Sequence, residues 1–146
     1  MNLLKHQIIQ FIIMIIVGIL FNPMNVLAYR MNDLFFSTTL LYGGILMGSN
    51  MVWAHEIIHY LSMGHFNKYV FVIGIILSIL TTVILLRQQL FVGDKQWLKR
   101  MISHHSTALT TTHKINNRTN NATIKKLAND IITTQEKELT LMKSLL

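Results

Sequence analysis

A chain of 146 residues is one domain's worth of protein, and its formal charge of +7 is unevenly placed: from residue 87 onward lie ten of the thirteen Lys and Arg but four of the six acids. That balance suits anionic lipid headgroups or plain solubility, and no motif accompanies it that would read a nucleic acid, which is therefore not an expected partner. The chain has no cysteine, so disulfides and thiolate metal sites are excluded and any soft ligand must come from its nine methionines.

The first element, 8–28, is almost wholly apolar, follows Lys5 and is interrupted by Asn22, Pro23 and Asn25. It has the roughly 20 residues that cross a hydrocarbon core. Its end, Val26-Leu27-Ala28, also resembles the close of a cleavable leader, but further apolar runs follow and a retained anchor is the simpler reading. The second run, 34–54, carries Gly43, Gly44 and Gly48, and the Gly44-x-x-x-Gly48 spacing lets another helix approach closely. The third, 69–86, is apolar and β-branched and is closed by Arg87-Gln88-Gln89. Three such runs predict a transmembrane region over 1–88, with the lipid bilayer as its first partner.

From 89 to 146 the pattern becomes amphipathic and predicts a separate helical domain. With Asp94 as N-cap, a helix over 95–115 sets Trp97, Met101, His104, His105 and Ala108 on one side. The polar stretch 116–121 reads as a turn, and a second helix from Thr123 repeats Ile124, Leu127, Ile131, Gln135, Glu138, Met142 and Leu145 at helical spacing. The fold class expected is all-α: three transmembrane helices, then an antiparallel helical hairpin. A hairpin of about 50 residues is marginal alone, so docking on the spans or a homo-oligomer is expected.

Two histidine clusters carry chemistry. His55-Glu56-Ile57-Ile58-His59 matches the HExxH zinc-protease pattern, in which two imidazoles share a helix face and the glutamate activates water. Such an enzyme needs a third protein ligand, for which Asp94 is the only loose candidate; polar residues marking a membrane boundary are the alternative, and no enzyme is expected. In Met101-Ile102-Ser103-His104-His105, a thioether at i and imidazoles at i+3 and i+4 suit Cu(I). His113 lies two turns beyond His105, about 80° round the helix. From the next helix Gln135, Glu138 and Met142 face inward; Met142 offers a second thioether and Glu138 a hydrogen bond to an imidazole. The alternative is that the adjacent histidines satisfy one another in a small polar core.

The segment from Val92-Gly93-Asp94 through Trp97-Leu98 to Met101-Ile102-Ser103-His104-His105, followed by Ile124-Lys125-Lys126-Leu127-Ala128, Gln135-Glu136-Lys137-Glu138-Leu139 and Met142, resembles the domain of unknown function 305 family. The resemblance covers about 55 residues, and the preceding spans resemble that family's membrane-anchored bacterial branch. It implies a ferritin-like helical fold, extracytoplasmic placement and, as in some members, copper binding and copper tolerance. Met101, His104, His105, Gln135, Glu138 and Met142 correspond to the family signature. Ser103 stands where the family usually has proline, and Thr111 and Thr112 where many members place sulfur. Lost sulfur weakens a Cu(I) site, which leaves three readings: His113 compensates, the site shifts toward Cu(II) or zinc, or it has lost metal altogether.

Three spans put the termini on opposite sides. With an external hairpin, Lys5 and Lys68 are cytoplasmic, while Arg30, Arg87, Lys95, Lys99 and Arg100 are outside, so the positive-inside count opposes that placement. The resemblance and the cysteine-free metal chemistry favour it. The sequence thus predicts an integral protein of a bacterial inner or plasma membrane that buffers or tolerates a metal ion, copper first and zinc second. Its expected ligands are Met101, His104 and His105, aided by His113, Glu138 and Met142. A metal-free structural or interaction protein is the alternative, and an intramembrane zinc metalloprotease the more distant one.

Overall fold

The computed structural model describes residues 3–146, with side chains from residue 5 onward; residues 1 and 2 of the expected membrane region lie outside the described residues. Those described residues are helical, with no strand among them. They form two compact units, one from the chain up to residue 21 with 38–91, the other from 22–37 with 92–146.

The first unit contains α1 (Leu3–Leu20), α3 (Thr38–Met63) and α4 (Lys68–Leu80). Two stretches, Lys5–Val26 and Lys68–Leu86, are long and apolar enough to cross a membrane, and only 11% of each is buried. Apolar helices buried so little leave most of their side chains exposed, as helices that cross a membrane do. The expected count of three spans is therefore corrected to two. The 34–54 run is broken: 34–37 precede the helix and the rest lies in α3, where Gly43, Gly44, Ser49 and Asn50 dilute the apolar residues and His55, Glu56 and His59 follow.

In the 8–28 run the chain leaves the helix at Phe21. Asn22 Oδ1 then accepts the Met24 N–H at 3.0 Å and Pro23 opens a single turn, α2 (Pro23–Val26). Proline fits a first helical position because it has no N–H to leave unpaired there. Helix α4 starts in a similar way, with Asn67 Oδ1 accepting from the Tyr69 and Val70 amides.

Glycines make the packing of α1 on α3 possible. A Cβ on Gly44 would sit 2.9 Å from the Ile15 carbonyl oxygen and 2.9 Å from Ile19 Cγ1; one on Gly48 would meet Phe11 at 3.0 Å. The obstacle at Gly44 includes backbone, which cannot swing aside. Gly44→Val is thus expected to cost at least about 1–3 kcal/mol by overpacking. Thermal unfolding in detergent micelles reads this as a lowered midpoint.

Beyond α4 the helix widens into a π turn over Thr81–Leu86, with Arg87 N donating to Thr82 O at 2.9 Å. Gln89 (φ 48°) and Phe91 (φ 56°) then take left-handed conformations that disfavour side chains. The Tyr42 hydroxyl, donating to Leu90 O at 2.6 Å, holds the backbone between them.

The second unit is built on α5 (Asp94–Arg118) and α6 (Ala122–Ser144), joined by 119–121. Asp94 is the first helical residue and Gly93 takes the N-cap position, without a side-chain cap. The helix continues to Arg118, so the turn is shorter than the polar stretch 116–121 suggested; Asn121 Oδ1 then caps α6 by accepting from Thr123 N at 2.9 Å and Ile124 N at 3.2 Å. Leu98, Ile102 and Leu109 of α5 bury themselves against Leu139 and Met142 of α6, with Phe35, Met101 and Ile132 alongside.

Residues 22–37 strap this pair through polar contacts. Asp33 is wholly buried, its carboxylate paired with Lys143 Nζ and accepting from Ser106 Oγ at 2.7 Å. Ser103 Oγ donates to the Asp33 carbonyl at 3.0 Å, Tyr29 N to Ser106 Oγ at 2.8 Å and Thr107 Oγ1 to Met24 O at 3.0 Å. At the edge, Arg30 reaches Glu136 at 2.7 Å.

Candidate metal centre

On α5, Met101 and His105 stand four residues apart and so share a face, one above the other. On α6, Glu138 and Met142 have the same spacing. The two pairs meet at a cavity of about 330 Å³ lined by Trp97, Met101, His105, Glu138, Leu141 and Met142. Four of the six residues expected as metal ligands thus come together. Trp97 and Leu141 are more than half exposed and form an apolar rim.

His104 and His113 lie elsewhere. Successive residues on a helix point about 100° apart, so His105 can face α6 only if its neighbour does not. Accordingly His104 is exposed, with its ring 5.8 Å from that of His105 and inclined at 62°. His113 stacks on Tyr29 of the strap, with centroids 4.9 Å apart and planes 15° apart. Leu141, which the sequence reading did not single out, is one turn beyond Glu138; that i+3 spacing was the available signal.

His105 is 9% exposed. Its Nδ1 is buried and lies 3.1 Å from Glu138 Oε2, close enough to pair but without hydrogen-bond alignment. Burial lowers the His105 pKa below its ordinary 6.5; the Glu138 carboxylate opposes this, and His104 adds a smaller push downward. The net effect favours the neutral imidazole, the form that carries a lone pair for a metal.

The sign of the linked stability follows from that direction. Because the folded chain resists protonating His105, this contribution is fully present above pH 6.5 and is lost as pH falls through the lowered folded value. Acidification from pH 7.5 to 5.5 is therefore expected to destabilise the wild-type second unit more than a His105→Gln variant, as read by denaturant midpoints. Equal shifts would contradict the assignment.

Among the described residues no three His, Cys, Asp or Glu side chains are already arranged to hold a metal. What the cavity assembles instead is a mixed donor set of two thioethers, one imidazole and one carboxylate. Thioether sulfur with imidazole is the donor chemistry of Cu(I), and the buried, unaligned Nδ1 of His105 fits a ligand role.

In the first unit the HExxH residues have another arrangement. His55 and His59 stack with centroids 5.8 Å apart, while Glu56 is buried and accepts from Gln7 Nε2 at 3.3 Å and from Asn67 N at 3.0 Å. Both carboxylate oxygens are thus joined to neighbouring segments.

Residues 86–146 match the family model described as "Domain of unknown function (DUF305)". An uncharacterized protein of Acanthamoeba polyphaga mimivirus is 47% identical over 68 residues, which is 47% of this chain and 45% of that one. The match therefore spans less than half the length of that relative. No solved structure matches the chain.

Proposed function

From the membership of residues 86–146 in the DUF305 family, we propose that the protein is a membrane-anchored metal-binding protein of copper type, serving metal buffering or tolerance. The observation that carries this reading is the convergence of Met101, His105, Glu138 and Met142 on one cavity. In it His105 and the two methionines are ligands, and Glu138 orients the imidazole or completes the charge. His104 and His113 take no part in the first coordination sphere. The helix pair is an antiparallel hairpin resembling part of a ferritin-like bundle.

Copper is the favoured ion and zinc the alternative, because two thioethers favour soft Cu(I) over the harder Zn²⁺. The domain is placed outside the cytoplasm, on the family resemblance and the absence of any thiol. A reporter fused after Leu146 and active only in the cytoplasm would reverse that placement. Binding itself is tested by titrating the purified full chain with Cu(I) against a competing chelator. Saturable binding that His105→Ala weakens and His104→Ala leaves unchanged is expected; no saturable binding leaves a structural helix pair in place of a metal protein.

A further inference from the structure

One end of the first unit gathers a second set of donors that the DUF305 segment does not include. His6 near the start of α1, His55 and His59 near the end of α3, and His65 in the connection to α4 come together there. Their ring centroids form a chain of 6.2 Å (His6 to His55), 5.8 Å (His55 to His59) and 6.0 Å (His59 to His65). Two imidazoles sharing a tetrahedral ion stand about 5 Å apart by centroid, given metal–nitrogen bonds of about 2.0–2.1 Å. The observed separations exceed that figure by about 1 Å, so the rings would have to turn toward a shared ion to bind it.

The surroundings suit an ion. A cavity of about 110 Å³ is lined by Gln7, His55, Glu56, His59, His65 and Asn67. His55 Nδ1 is buried there without a hydrogen-bond partner. His59 Nδ1 lies 3.2 Å from the His65 carbonyl oxygen; protonated, it donates there and leaves Nε2 with its lone pair. Metal-bound histidines are commonly oriented by that type of contact. Glu56 supplies a buried negative charge to offset a cation, and its links to Gln7 and Asn67 tie the site to α1 and to the start of α4.

We infer that His55 and His59, with His65 and His6 as further donors, form an imidazole site for a divalent transition ion at this end of the helical unit. Its all-nitrogen donor set selects Zn²⁺ or Cu²⁺ rather than Cu(I), so it differs in kind from the methionine site. The four imidazoles come from α1, α3 and the connection that follows α3, and an ion among them would tie these segments together.

The test is a titration of the full chain in detergent micelles with Zn²⁺ alone, against a chromophoric chelator. His55→Ala/His59→Ala is expected to weaken Zn²⁺ binding by roughly a hundredfold or more, and Met101→Leu/Met142→Leu to leave it in place. His6→Ala and His65→Ala remove exposed side chains, and at least one of them is expected to weaken binding about tenfold, so the test stands even where the double variant loses helix content. Zn²⁺ affinity unchanged in all the histidine variants, or lost with the methionine pair, would overturn the inference. Neither result depends on Cu(I) binding at the other site, so the two readings fail separately.

Discussion

Lys143→Met is expected to lower the stability of the second unit by about 3 kcal/mol, the largest single effect on the fold. The reasoning rests on an asymmetry of burial. Asp33 is 0% exposed and Lys143 33%, so removing the lysine strands a carboxylate that water cannot reach. Ser106 Oγ remains as a hydrogen-bond donor to it, but a hydroxyl does not replace a cation. Asp33→Asn is expected to cost less, because the lysine left behind can turn toward solvent and the amide keeps the shape of the carboxylate. Denaturant unfolding followed by Trp97 fluorescence in a Trp53→Phe background reads both variants. Equal midpoints for wild type and Lys143→Met would mean that the strap contributes nothing to the unit.

Met101→Leu/Met142→Leu is expected to weaken Cu(I) binding by roughly a hundredfold, while changing stability by less than about 1.5 kcal/mol. Leucine conserves volume closely enough for Met142 to be replaced beside Leu139 and Leu98, so loss of binding would report sulfur rather than shape. Zn²⁺ affinity should move far less, since zinc gains little from a thioether. A Cu(I) titration under reducing conditions, paired with thermal unfolding of the same variant, separates ligation from packing. Unchanged Cu(I) affinity would transfer the copper chemistry away from this cavity.

Much of this arrangement is written in periodicity. Met101 with His105, and Glu138 with Met142, repeat at four residues, and the helix pair follows from apolar residues at the same spacing. Adjacent histidines misled for the same reason that the i, i+4 pairs did not. A dipeptide on a helix faces two directions, and the side that wins contact with α6 is a tertiary outcome. The strap was illegible because its contacts are long-range: Asp33 meets Ser106 and Lys143 across more than seventy residues. Ser103, Ser106 and Thr107 did give a signal, a polar stripe on a helix whose other buried face is apolar, and Asp33, the first acid in the chain, was its partner. Ser103 also has a physical account, since its hydroxyl donates to the Asp33 backbone carbonyl.

The membrane region shows a complementary limit. Apolar length picked out 8–28 and 69–86, where the structure has two stretches long and apolar enough to cross a membrane, but α3 owes much of its burial to Gly44, Gly48 and Ser49, small residues packed in the first unit rather than exposed greasy ones. A count of apolar runs treats those two situations alike.

X-ray absorption by the full chain, loaded with less than one equivalent of Cu(I) in the His55→Ala/His59→Ala background, tests the methionine site most directly. Sulfur neighbours alongside nitrogen, with the sulfur signal lost in Met101→Leu/Met142→Leu, are the predicted result. A shell of nitrogen alone would contradict it.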